Sequence, residues 1–181
     1  MNTWFTSDEH LDHPVMAHGR GFDTVEEMNE AVIQMHNAVV KPKDTVYCLG
    51  DFGLRSKLTK LGRLRHRLNG KIHLIVGNHD IANRVQKQSW WSSVQQYTTL
   101  KLSKKRIFLC HFPMRCWDRS HYNSWHLYGH VHTGLNFSEP YINGKTLDVG
   151  VDYWGRPLEF EEICKIMDKL PDNNNLIRRD K

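Results

Sequence analysis

Apolar residues follow two alternating patterns along this chain. Short continuous runs end at small polar clusters, and between them lie longer stretches in which apolar positions recur every three or four residues. Thr3-Trp4-Phe5-Thr6-Ser7 predicts a first strand that runs straight into Asp8. Thr24 followed by Glu27 has the form of a capping box, and Met28, Ala31, Val32, Met35 and Val39 continue at helical period until Pro42 and Asp44. Thr45-Val46-Tyr47-Cys48-Leu49 predicts a buried strand that delivers Gly50-Asp51. Leu58, Leu61, Leu64 and Leu68 then mark one face of an amphipathic helix. Its other face carries Arg55, Lys57, Lys60, Arg63, Arg65 and Arg67, and Asn69-Gly70 closes it. Residues 71–76 predict the next strand, which delivers Gly77-Asn78-His79-Asp80.

Beyond this point the pattern changes. Residues 94–103 and 106–110 predict paired strands around a Lys104-Lys105 turn, the second ending at His111. Short strands over 125–128 and 146–151 follow, then a helix from about Glu159 to Leu170. A single domain is expected over 1–170, with the polar residues 171–181, which include Asn173-Asn174-Asn175, as a flexible tail. Four predicted strands thus end at a loop holding a polar candidate: Asp8, Asp51, Asn78 and His111. In α/β sheets the crevice beyond the carboxyl ends of strands is where sites form.

Composition narrows the class. A chain of 181 residues suits one domain able to bury about two-thirds of its unfolded surface. The longest apolar runs, such as Ile107-Phe108-Leu109-Cys110, fall far short of the roughly 20 residues of a membrane span, so no membrane partner is expected. There is no basic stretch followed by an apolar segment at the N-terminus, and the four cysteines (Cys48, Cys110, Cys116, Cys164) form no CxxC pair. Reduced thiols in a cytoplasmic protein are the expectation. A net charge of +5 suits an anionic partner, with nucleic acid one candidate, although so modest a charge is common. Twelve histidines are many for this length, and seven lie between His73 and His132.

Five polar motifs occur in one order: Asp8-Glu9-His10, Gly50-Asp51, Gly77-Asn78-His79-Asp80, His111 and Gly129-His130-Val131-His132. Taken singly most are commonplace; in order and at strand ends they supply ligands for two adjacent divalent metal ions. Two cations about 3.5–4 Å apart repel, so they need a shared anionic ligand, and Asp51 is the candidate because a carboxylate has two oxygens and negative charge. Asp8, His10 and His132 complete one site; Asn78, His111 and His130 complete the other. Read as an extended segment, His130-Val131-His132 places both imidazoles on the same face of a strand. Mixed nitrogen and oxygen ligation favours Mn²⁺, Fe²⁺, Zn²⁺, Ni²⁺ or Co²⁺, with Mn²⁺ placed first. Water between two such ions is acidified toward neutral pH and becomes a hydroxide nucleophile for a phosphate ester.

The motif series resembles that of the calcineurin-like metallophosphoesterase superfamily, written DxH, GD, GNHD, H and GHxH. The resemblance runs from Asp8 to His132 with every ligand position filled. Val25-Glu26-Glu27-Met28-Asn29-Glu30, residues 44–52 and Asp148-Val149-Gly150-Val151-Asp152 are similar to its small bacterial and phage-borne branch. The resemblance implies an α/β fold, a four-layer α/β/β/α sandwich of two mixed sheets flanked by helices. It also implies the ligand set above and His79 as general acid, with Asp80 orienting its loop; the alternative is His79 as a transition-state electrostatic group alone. Gly50-Asp51-Phe52-Gly53 lacks the GDxxDRG form of the protein Ser/Thr phosphatases, and His79 separates the chain from the lipid A pathway hydrolases.

For substrate contact the candidates are His13 and Arg20, which follow the first motif, and Arg115 and His121, which lie between ligand motifs. Trp117, Tyr122 and Trp125 are candidates for a wall on which a base stacks, against a commoner role as core. The insertions between motifs are too short for a cap domain, so an open site is expected. The leading expectation is a phosphodiesterase acting on a nucleotide-type diester. A phosphomonoesterase, a nuclease that uses the basic helix, and a non-catalytic metal-binding scaffold are the alternatives.

Overall fold

In the computed structural model, which describes residues 1–54, 56–132 and 144–177, two mixed sheets are flanked by helices. In the first sheet β1 (Thr3–Thr6), β2 (Thr45–Cys48), β3 (Lys71–Ile75) and β4 (Ser93–Gln95) are parallel, and β9 (Leu158–Glu159) lies antiparallel to β1, in the order β4-β3-β2-β1-β9. In the second, β5 (Tyr97–Leu102) and β6 (Lys105–Cys110) form an antiparallel hairpin, and β7 (Trp125–Tyr128) and β8 (Thr146–Asp148) extend it in parallel.

The alternation along the strands divides the core into two layers. Trp4, Val46, Cys48, Ile72 and Leu74 point to one side of the first sheet. They meet Met28 and Val32 of α2 (Val25–Val39), Leu61 and Leu64 of α3 (Leu58–Arg67), and Ala17 of α1 (Pro14–Gly19). Phe5 and Ile75 point to the other side and meet Ile107, Leu109, Leu127 and Leu147 of the second sheet, with Ile163 and Met167 of α6 (Phe160–Lys169). Each such side chain stabilises by roughly 1.5–3 kcal/mol when fully buried. The inner layer therefore fixes the two sheets face to face, with the loops after β1, β2, β3, β6 and β7 converging at one edge.

Thr24 opens α2 as its sequence indicates: its hydroxyl accepts from Glu27 N and its own N donates to the Glu27 carboxylate, both at 3.2 Å. The basic face of α3 is less basic than it reads. Arg65 is buried with its guanidinium 5.6 Å from the Trp91 ring, Lys60 pairs with Asp12 and Glu26, and Arg67 pairs with Glu30. Among the described residues no helix is long and apolar enough to cross a membrane.

Three expectations are corrected. The single strand expected over 94–103 is two strands in different sheets, parted at Gln96. Both are edge strands with half-exposed side chains, so no run of apolar residues ties the segment to one sheet. The hairpin turns at Ser103 (φ 44°) and Lys104 (φ 67°), a left-handed pair whose twist suits a two-residue connection, and Lys105 already belongs to β6. Finally, residues 171–177 of the expected tail are docked. Asn173 is buried, donates from Nδ2 to Ser120 O and Ser124 O at 2.9 Å, and accepts from Lys145 N at 2.8 Å. A short asparagine run reads as solvated, yet here one amide satisfies the backbone of a neighbouring loop. Residues 178–181 lie outside the described residues.

Candidate metal centre

The first two ligand loops lie side by side. Asp8 N donates to Gly50 O at 2.9 Å, His10 N to Asp51 O at 3.0 Å and Leu11 N to Phe52 O at 2.8 Å. This alignment holds Asp8 (φ 59°), His10 (φ 48°) and Asp51 (φ 56°) in the left-handed region, which costs about 1–2 kcal/mol per residue. Such strain persists where surrounding structure over-determines it, and it clusters at functional sites. Buried Asp80 supplies much of that determination. Its carboxylate accepts from Gly77 N (2.8 Å), Asp51 N (3.0 Å) and Phe52 N (3.0 Å), binding the GD loop to the GNHD loop. Glycine is required where these loops cross: Gly50 has φ 94°, and a Cβ there would sit 2.5 Å from Gly77 N. A Cβ at Gly129 would overlap Ser7 Oγ and Asp8 Oδ2.

Two groups of donors result, Asp8 with His10 and His132, and Asp51 with His111 and His130. In the first, Asp8 Oδ1 lies 3.9 Å from His10 Nε2 and 4.0 Å from His132 Nε2. In the second, Asp51 Oδ2 lies 3.4 Å from His111 Nε2, and Asn78 Oδ1 lies 3.1 Å from the same nitrogen. Asp51 stands between the groups, because its Oδ2 is also 3.8 Å from His10 Nε2. Asn78 opens α4 (Asn78–Ala82), and His79 N donates to Asp51 Oδ1 at 2.9 Å.

These residues suit a pair of cations. Asp8 Oδ1 and both ring nitrogens of His10 are buried without a hydrogen-bond partner, and a cation would satisfy the carboxylate oxygen and the one imidazole nitrogen that carries a lone pair. His111 Nδ1 faces Leu49 O at 2.7 Å and so carries a proton, which leaves Nε2 facing the oxygens of Asn78 and Asp51, a position that a bridging proton or a cation would fill. Lone pairs converging on one space are the signature of a ligand set. Burial pushes the Asp8 and Glu9 carboxyls up to about 7 and Asp80 up to about 6. Burial also drives His10 well below the usual imidazole range. Burial opposes ionisation of Asp51 as well, but the His111 hydrogen bond and charge and the His79 N–H hold it down at about 2. His111, against its burial, is raised to about 9 by Asp51, Asp8 and the Leu49 carbonyl.

The extended geometry expected for His130-Val131-His132 is not found. The segment lies past the end of β7, His130 (φ 73°) and His132 (φ 50°) are left-handed, and Val131 N donates back to Gly129 O at 2.9 Å. An extended strand would hold both rings on one face. The turned backbone separates them, so His130 packs 5.1 Å from the His111 ring and His132 lies 5.0 Å from the His10 ring.

Of the other candidates, His79 stands at the mouth, about one-third exposed, with Nε2 3.8 Å from Asp51 Oδ2. The His13 ring lies 5.4 Å from His10 and 6.4 Å from His79, within the same cluster. Arg20 is turned inward instead of toward a substrate: its guanidinium donates to Asp8 O (2.7 Å), Glu9 O (2.9 Å) and Asp152 Oδ1 (2.6 Å). Among the described residues no hydrogen bond, ion pair or ring contact joins Arg115 or His121 to the ligand side chains. Arg115 lines a separate cavity of about 670 Å³ with Met114, Trp117, Tyr128 and Asn173, and the His121 ring packs 4.3 Å from Tyr122. Trp117 lies 5.3 Å from the ring of His126, and Trp125 is buried in the inner layer. Asp152, on α5 (Val151–Trp154), escaped the motif reading although it meets His132 Nδ1 at 2.5 Å; the Asp148–Asp152 stretch was its only signal.

A family model described as the calcineurin-like phosphoesterase superfamily domain matches residues 1–147. This chain is similar to an uncharacterized protein of Methanocaldococcus jannaschii, at 30% identity over 172 residues that cover 92% of this chain and 91% of the relative. It is also similar to the Gene 66 protein of Mycobacterium phage L5, at 27% identity over 199 residues covering 93% and 95%. Among solved structures, a protein of unknown function from Aquifex aeolicus matches with a TM-score of 0.69 and 22% identity, over 91% of this chain and 98% of that one, a likeness of fold.

Proposed function

The chain belongs to the calcineurin-like phosphoesterase superfamily, and from that premise we propose that it is a two-metal phosphodiesterase acting on a nucleotide-type diester. The observation that carries this reading is the position of Asp51. Its Oδ2 lies within 3.8 Å of His10, His79 and His111 Nε2, between the two donor groups. Asp8, His10 and His132 would hold one ion and Asn78, His111 and His130 the other, with Asp51 available to both. Mn²⁺ is the first candidate for both. When bound, such ions acidify water toward neutral pH and neutralise charge developing on a phosphoryl group.

The protein's own groups do the rest. Asp80 holds the loops that present Asp51 and Asn78, so the shared carboxylate needs no reorganisation during reaction. His79, partly exposed and close to Asp51, is placed to give a proton to the leaving oxygen. The exposure of His79 and His130 supports an open approach that admits an ester with a second substituent. A nuclease that grips a strand through α3 is less well supported, because Lys60 and Arg67 are ion-paired and Arg65 is buried.

The test is Mn²⁺-dependent hydrolysis of bis-p-nitrophenyl phosphate beside p-nitrophenyl phosphate, with Asp51→Asn as control. Faster diester cleavage that the substitution abolishes is expected. Faster monoester cleavage would replace this reading with a phosphatase, and silence on both by a metal-loaded chain would favour a scaffold.

A further inference from the structure

We propose that Arg20 and Asp152 form a positioning relay for His132, so that the Asp8–His10–His132 half of the centre is held by a buried ion pair from outside the ligand set. The inference rests on the two-metal reading above. Arg20 follows α1, and Asp152 lies 132 residues further along the chain. The Arg20 and Asp152 side chains are only 9% and 1% exposed, and their Nε–Oδ1 contact is 2.6 Å. The second carboxylate oxygen of Asp152 meets His132 Nδ1 at 2.5 Å. An ionised carboxylate only accepts, so an imidazole proton resides on Nδ1, which leaves Nε2, on the side of Asp8, as the ring's ligating nitrogen.

The same guanidinium donates to Asp8 O and Glu9 O. It thereby fixes the strained backbone of one ligand loop while its partner fixes the ring of a ligand from another. The two ends are tied once more where Val151 N donates to Ser7 O at 3.0 Å. A buried ion pair adds little net stability over well-packed apolar residues of the same volume, so stability alone does not account for it. A partner that orients a ligating imidazole and sets its tautomer accounts for each contact. In the other half, His111 is oriented by the neutral Leu49 carbonyl.

Mn²⁺ titration calorimetry with metal analysis on the full chain tests the relay. The wild type is expected to bind two ions. Asp152→Asn should weaken one binding event by about 10–100-fold and leave the other unaltered. Arg20→Lys, which keeps the charge but replaces the planar fork with a single ammonium, should weaken the same event. A chelator-treated thermal melt verifies that each variant is folded. A wild type that takes up no metal removes the two-metal reading and the relay with it. A wild type that takes up two ions, matched by Asp152→Asn or weakened equally at both sites by it, removes the relay alone. Should Asp152→Asn fail to fold, nitrogen-15 spectroscopy of the Zn²⁺-loaded wild type decides: a proton on His132 Nδ1 is expected, and one on Nε2 overturns the proposal.

Discussion

The two donor groups both come within 3.8 Å of Asp51 Oδ2 and differ in nearly everything else. Asp8 and His10 are shut away from solvent, and His132 is backed by a charged pair. In the Asp51 group His111 is buried against a backbone carbonyl, but His130 is exposed and packs against Phe112 at 4.8 Å. A buried, charge-braced donor set loses less freedom when it binds and is screened less by water. The comparison teaches that a site built from five similar motifs need not be symmetric. It leads us to expect one tight and one labile metal position, the labile one on the exposed side at His130.

The shared residue breaks the comparison most completely. Asp51→Asn should lose both ions together and slow turnover by about 10³-fold or more, since several kcal/mol of charge stabilisation vanish at about 1.4 kcal/mol per decade. Metal analysis that still finds two ions would end the bridging assignment. His79→Ala should keep both ions yet slow diesters with poor leaving groups by about 10²–10⁴-fold, and p-nitrophenyl esters less. Loss of metal in that variant would make His79 a ligand instead of an acid.

A histidine outside the centre sharpens the contrast. His36 is buried with Nε2 against Asn69 O, and burial lowers it to about 4 from the usual 6.5. The folded chain therefore keeps it neutral while the unfolded chain takes up a proton below 6.5. Stability present above that pH is lost as pH falls toward 4, by up to about 3 kcal/mol. Melting of the metal-free protein should drop across this window, and more gently in His36→Gln; parallel curves would exonerate His36. The finest probe is the pair His132→Ala and His130→Ala. Calorimetry should show the first weakening the tighter event and the second the looser one, with the smaller loss for His130.

Much of this was legible from local signals. The capping box at Thr24, the strand alternation at Trp4-Phe5 and the leucine stripe of α3 are encoded within a few residues of where they act. The ligand motifs were legible for the same reason, since each stands at the end of an apolar run that had to be a strand. The misread elements are those whose neighbours are remote. Residues 93–102 carry no apolar run that commits them to one sheet, and only packing assigns Ser93 to β3 and Tyr97 to β6.

Local patterning was enough to bring two carboxylates, an amide and four imidazoles in order to the ends of strands. The tertiary structure alone decided how they divide. It turned His130 and His132 into left-handed residues facing different partners, and it drew Arg20 inward. It also made Asp152 a neighbour of His132 across 20 residues and of Arg20 across 132. Periodicity and capping are short-range and repeat from chain to chain. The partner of a buried charge is chosen by the shape of the whole core, and no local pattern carries it.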